Sequence, residues 1–195
     1  MILKQENNIR VFDYPRGETL SSDKLHYWKS LMPETLTPPT VSDLMITNVV
    51  TVTGDMTLDE IVAKLIGQGI PAAPVVEQNN GVEELIGFIT EKDCLEYLSN
   101  DMFYGNPEVT AKSMMQRFPL CVKPVTDIFT IADIFTNHPY RFLPVVRKKR
   151  LVGMISRRDV LRGLVDFQKQ ILKEKAETKT LRDFREIVNL RFIMK

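Results

Sequence analysis

The chain has 195 residues, 44% apolar and 26% charged, with 26 Lys/Arg against 25 Asp/Glu. These fractions sit near globular averages and exclude a disordered or collagen-like chain, and the length suits one large domain or two small ones. No apolar run approaches the roughly 20 residues that a membrane-spanning helix needs, and Met1-Ile2-Leu3-Lys4-Gln5-Glu6 turns polar at once without an apolar signal core, so a cytoplasmic protein is expected.

Residues 1–40 read as an N-terminal extension. Ile9-Arg10-Val11-Phe12 is a candidate strand, and Leu25–Met32 a short helix before Pro33, with Pro38-Pro39 as its stop. Within 41–105, Val49-Val50-Thr51-Val52 is β-branched and predicts a strand. Leu58, Ile61, Val62, Leu65 and Ile66 then form one apolar helical stripe. Two apolar runs around Pro74-Val75-Val76 and Leu85–Ile89 follow, joined by Asn79-Asn80-Gly81, residues that tolerate a positive φ and predict a hairpin. A helix starts after Thr90, with Leu95 and Leu98 expected on its inner side.

The same order returns in 106–166. Leu120-Cys121-Val122 is the strand, and Ile128, Ile131, Ala132 and Phe135 the stripe. Pro144-Val145-Val146 and Leu151–Ile155 are the hairpin, and the helix after Ser156 has Leu161 and Leu164 expected inside. Asp43-Leu44-Met45 matches Ser113-Met114-Met115 at an offset of 70 residues, while Asp93 matches Asp159 at 66. Four extra residues therefore fall in the first copy, expected in the Gln78–Glu84 turn. The unit is β-α-β-β-α, twice, an α+β architecture in which each copy buries a face against the other. Residues 167–195 predict a helix continuation through Thr178. Alternating Val188, Leu190, Phe192 and Met194 then predict a terminal strand, paired with Ile9–Phe12 or with a second chain.

Each copy closes with Gly-h-h-[Ser/Thr]-x-x-Asp: Gly87 to Asp93 and Gly153 to Asp159. Thr90 and Ser156 open helices, where unpaired amides and the helix dipole favour an anion. Asp93 and Asp159 lie one turn on, and a carboxylate's two acceptor oxygens suit the vicinal hydroxyls of a ribose. The same pattern is also a helix N-cap with an acid in the first turn, which needs no ligand. Gly87 and Gly153, inside strands, mark close approach of a backbone or a ligand.

The full order, Asp-Leu-Met, strand, helix, Pro-Val-Val and Gly-h-h-[Ser/Thr]-x-x-Asp, occurring twice over roughly Val41–Val165, resembles the paired cystathionine-β-synthase (CBS) domain. The resemblance implies two repeats packed with pseudo-two-fold symmetry, a homodimer, and adenine-containing ligands in clefts between the repeats. It implies one site from Phe88, Thr90 and Asp93 with Met115, Leu120, Tyr140 and Arg141. A second would combine Met154, Ser156 and Asp159 with Met45, Val50, Ile70 and Pro71. AMP, ADP, ATP or S-adenosylmethionine would be a regulatory ligand rather than a required cofactor. Arg141 suits phosphate, while Pro71 at the matching place carries no charge; the second site would depend on Arg157 or Arg158, or take a less charged adenosine compound. Tyr140 and Phe142 have core roles as alternatives.

The reading is therefore a sensor that signals through altered packing or dimer form to an unidentified protein partner, against a structural docking module with unoccupied clefts. No nucleophile–base pattern, Gly-rich phosphate loop or metal-ligand spacing is seen around Cys94, Cys121, His26 or His138, so neither an enzyme nor a metal site is expected. Charge is uneven, with 11 Lys/Arg and 19 Asp/Glu in 1–146 against 15 and 6 in 147–195. Without a reader motif or aromatics placed to stack bases, the basic end does not point to nucleic acid.

Overall fold

The computed structural model describes the backbone of residues 2–6, 9–13, 35–104 and 109–193, and side chains within 35–99 and 109–178. In chain order the elements are β1 (Ile2–Glu6), β2 (Ile9–Asp13), α1 (Val41–Leu44), β3 (Val52–Thr53), α2 (Leu58–Gln68), β4 (Ala72–Asn79), β5 (Val82–Thr90) and α3 (Glu91–Tyr104). Then follow α4 (Ala111–Met114), β6 (Gln116–Arg117), β7 (Leu120–Cys121), α5 (Ile128–Asn137), β8 (Phe142–Arg147), β9 (Arg150–Ser156) and α6 (Arg157–Ile193).

Helix starts are set by short polar side chains. Thr57 caps α2, accepting from Glu60 N while Glu60 Oε2 accepts from Thr57 N, and Asp127 caps α5 by accepting from the amides of Phe129 and Thr130. Such caps satisfy amides that a helix leaves unpaired, each worth about 1 kcal/mol. Both hairpins turn in two residues, Asn80-Gly81 (φ 50° and 75°) and Lys148-Lys149 (φ 59° at Lys148). The strands of the first hairpin have eight and nine residues, those of the second six and seven. The four extra residues thus lengthen the ladder instead of enlarging the turn, because Asn80-Gly81 already closes it in the conformation a twisted ribbon favours.

The six-stranded sheet runs β3-β4-β5-β9-β8, with β6 on β5. Pseudo-two-fold symmetry shows in its details. The ladder shifts register at Val75/Val76 and again at Val145/Val146. Phe88 pairs with Gln116, as Met154 pairs with Ile46. The short lead helices are exchanged between the repeats. Val41 N–H bonds Thr126 O at 2.7 Å and Ala111 N–H bonds Met56 O at 2.8 Å. Val41 accordingly belongs to the core of Ile128, Ile131, Leu143, Val145 and Ile155, whereas Ala111 and Met114 belong to that of Val52, Ile61, Leu65, Val75 and Ile89.

Several expectations are corrected. Residues 188–193 continue α6 and form no strand: no proline or glycine follows Gly163, and Leu181, Phe184 and Val188 also recur at helical spacing. Met194 and Leu25–Met32 lie outside the described residues. Strand β2 pairs antiparallel with β1 and parallel with β7 (Arg10 opposite Leu120), not with the C-terminus. Leu95 and Leu161 are 68% and 64% exposed; Cys94 and Val160 take the buried positions beside Leu98 and Leu164. Ile66 is likewise exposed, outside the stripe completed by Leu58, Ile61 and Leu65. The first repeat's strand is shorter than expected, Val52–Thr53 alone, with Val49 packed instead near Phe88.

Candidate functional site

Thr90 ends β5, and α3 begins at the next residue. Asp93 Oδ2 accepts from Thr90 N at 2.8 Å and from Thr90 Oγ1 at 2.7 Å, while Asp93 N–H bonds Thr90 Oγ1 at 3.3 Å. The second motif repeats this, with Ser156 N and Oγ donating to Asp159 Oδ2 at 3.0 and 2.5 Å. Thr40 and Asp43 do the same at α1, and the two bonds from Thr40 hold the Asp43 carboxyl below its ordinary pKa. Both motifs are therefore reciprocal helix caps. Asp93 and Asp159 are half-buried and spend Oδ2 on the cap.

Beside Thr90 lies a cavity of about 380 Å³, within the range of small-molecule sites. Ala72, Phe88 and Thr90 of the first repeat form one wall, and Leu120, Tyr140 and Phe142 of the second face them. Arg141, Lys92 and Glu91 are exposed at its rim. Of the first expected set, Phe88, Thr90, Leu120, Tyr140 and Arg141 are brought together. Asp93 stands behind Thr90 and does not line the cavity. Met115 packs on the core of the first repeat, and a Cβ on Gly87 would lie 2.7 Å from Met115 Cγ.

Of the second set, Pro71 alone lines the Thr90 cavity. Met45 fills the space beside Gly153, where a Cβ would also meet Ile46 O at 2.8 Å. The close approach at both strand glycines is thus a methionine of the other repeat. Met154 packs with Ala72 and Phe88, Ile70 against the first core, and Val50 is half-buried. Pro71 lines the Thr90 cavity, because it leads into β4, whose Ala72 is opposite Thr90. Tyr140 combines both alternatives, half-buried against the second core and lining the cavity, and Phe142 does likewise beside Phe88. Lys92 and Gln116 are among the lining residues that sequence reasoning missed. Lys92 is one of the unspecified motif positions, and Gln116 becomes visible only once β6 is paired with Phe88.

A second cavity, about 360 Å³, is lined by Glu77, Glu84, Lys112, Arg117, Phe118 and Lys149 among others. Lys112 is 3.1 Å from Glu77 and Lys149 is 3.9 Å from Glu84, so much of its charge is already matched. Cys94 and Cys121 are buried free thiols. Burial, then the charge of Asp93, raises the Cys94 pKa to about 11; burial alone pushes Cys121 up. Among the described residues no group of three His, Cys, Asp or Glu could hold a metal ion, and no helix is long and apolar enough to cross a membrane.

The model of the CBS domain matches residues 41–100 and 111–166. The chain belongs to the CBS-domain family. An uncharacterised protein of Methanocaldococcus jannaschii is 27% identical over 124 residues, 64% of this chain but only 42% of that protein. Among solved structures, the Arabidopsis thaliana CBS-pair protein CBSX2, crystallised in complex with AMP, superposes with a TM-score of 0.57. It shares 23% identity over 67% of this chain and 98% of its own. The CBS domain pair of protein MJ0100, in complex with 5′-methylthioadenosine and S-adenosyl-L-methionine, gives 0.55 and 22%, over 65% of this chain and 95% of its own. At such identity these two likenesses show the fold, which is the CBS-pair arrangement of helices and sheet described above.

Proposed function

We propose that this CBS pair is a ligand-sensing regulatory module that binds an adenine nucleotide or related adenosyl compound between its repeats. The observation that carries the reading is the Thr90 cavity itself, with apolar walls from both repeats and Arg141 and Lys92 at the mouth. A purine would lie between Phe88, Leu120 and Tyr140, with phosphate oxygens toward Arg141, whose planar fork binds them bidentately. Thr90, opening α3, would add its hydroxyl and the field of the helix start. Asp93 would set the position of Thr90 through its cap, and Ser156 and Asp159 would serve the second cleft with Met45, Val50, Ile70 and Met154. The AMP, methylthioadenosine and S-adenosylmethionine complexes of structural neighbours point to the same ligand class. Because both walls belong to different repeats, occupancy would alter their packing in proportion to the ligand's differential affinity for the two arrangements.

Calorimetric titration with AMP, ADP, ATP and S-adenosylmethionine tests this. The expected result is saturable AMP binding that weakens about tenfold in Arg141→Gln, one hydrogen-bonded charge being worth that much. No binding of any of the four, or identical affinity in Arg141→Gln, would refute it.

One observation favours an interface function besides. Leu95 and Leu161 occupy matching places on α3 and α6 and both face solvent. A two-fold homodimer would bury both copies of this pair, and sedimentation of wild type against the Leu95→Asp, Leu161→Asp double variant measures it. A docking module with unoccupied clefts would dimerise and bind none of the four ligands.

A further inference from the structure

The two repeats close their first long helix differently. In the first, Gly69 ends α2 with φ 61°, its N–H reaching Leu65 O and Ile66 O, and Ile70 N–H bonds Leu65 O at 3.0 Å. A left-handed glycine satisfying the last carbonyls is a compact helix end. The 70-residue offset places Pro139 at this position in the second repeat. Proline has no N–H and its φ is locked negative, so this closure is forbidden there. Helix α5 instead ends on His138 in extended conformation, φ −130°.

Arg157 instead ties the chain beyond the helix end. Its Nε donates to Tyr140 O at 2.6 Å and its Nη2 to His138 O at 2.9 Å. Its backbone N–H adds a bond to Arg141 O at 3.2 Å. The first repeat has Glu91 at the equivalent position, and its backbone N–H makes the matching bond to Pro71 O at 2.9 Å. A carboxylate side chain there donates nothing to carbonyls. The guanidinium clamp is thus confined to the second repeat, and it holds the segment that contributes Pro139, Tyr140 and Arg141 to the Thr90 cavity.

We infer that Arg157 is the positioning residue of this cleft wall: where Pro139 forbids the compact helix closure of the first repeat, its guanidinium ties down the chain just past the helix end and so sets Tyr140 and Arg141 in place for the ligand. For the ligand this rests on the proposed adenine-nucleotide cleft; the clamp itself does not. Arg157 touches no part of the cavity, and its effect passes entirely through two carbonyl oxygens. A lysine offers one compact ammonium instead of a planar fork and holds the pair less well.

The test uses the full chain and two measurements. Hydrogen exchange at the amides of Tyr140–Leu143 is compared in wild type, Arg157→Lys and Arg157→Ala, and AMP affinity is titrated in each. Arg157→Ala should speed exchange there and weaken AMP about tenfold, two hydrogen bonds to a charged donor being lost, with Arg157→Lys between. Adding Pro139→Gly to Arg157→Ala restores the first repeat's way of ending the helix and should recover part of both losses. Unchanged exchange in Arg157→Ala, or a double variant no better than the single, would overturn the inference. If wild type binds no AMP while Arg157→Ala still loosens the segment, the clamp stands and the nucleotide reading fails.

Discussion

The corner between Gln68 and Ala72 is closed by backbone alone, whereas the matching corner between Asn137 and Phe142 is tied by a side chain 17 and 19 residues along the sequence from its two acceptors, at Arg157. Elsewhere the repeats agree closely. Helix caps, register shifts and strand glycines recur in both. Among the duplicated positions that differ are Ile70 against Tyr140, Pro71 against Arg141 and Glu91 against Arg157, at the Thr90 cavity or the corner beside it. The pseudo-symmetric frame is thus kept in its caps, register shifts and strand glycines and diverges at the corner beside the Thr90 cavity.

That contrast can be broken most forcefully at the cores. Ile61→Ala and Ile131→Ala each remove a fully buried side chain and should cost about 2–5 kcal/mol. Because the lead helices are exchanged, both variants should shift one shared thermal transition; two transitions of which only one moves would show independent repeats. Next come the strand glycines. Gly153→Ala should cost about 1–3 kcal/mol as an overpacked site, since a backbone oxygen lies in the way. Gly87→Ala should cost less because it displaces only Met115, and denaturant titration ranks the two.

The caps should be equal instead of different. Asp93→Asn and Asp159→Asn each weaken one reciprocal cap, at about 0.5–2 kcal/mol. A much larger loss of ligand affinity in one than in the other would mark the cleft that is used. The smallest effect concerns Cys94, whose pKa is raised to about 11 from 9.0. A raised folded-state pKa gives stability that is complete below pH 9 and declines as pH rises toward 11. Cys94→Ala should flatten that alkaline decline, read from melting temperature against pH.

Much of this was legible in the sequence because it is local or repeated. The 70- and 66-residue offsets located both hairpins, Asn80-Gly81 announced its turn, and the Thr-x-x-Asp spacing located helix starts. Five of seven residues expected at the Thr90 cleft line it. The misreadings have physical causes. Val188–Phe192 alternates like a strand, yet a helix once begun continues through residues that carry no breaker. Leu95 and Leu161 are apolar but point away from the sheet, since Cys94 and Val160 already fill the inner row. Glu60, Asp93 and Asp159 look alike in a motif scan, and only packing separates an acid that merely caps from one beside a cleft. The Arg157 clamp had no signature, because its partners are backbone carbonyls.

The exchange of α1 and α4 carries a consequence for how such a protein can arise or be divided. Severed between residues 104 and 109, neither half would carry the short helix that seals its own interior, and each would present an unsealed core whose plug travels with the other fragment. The halves are obligate complements, so co-expressed fragments should reassemble into the native pair where either one alone aggregates.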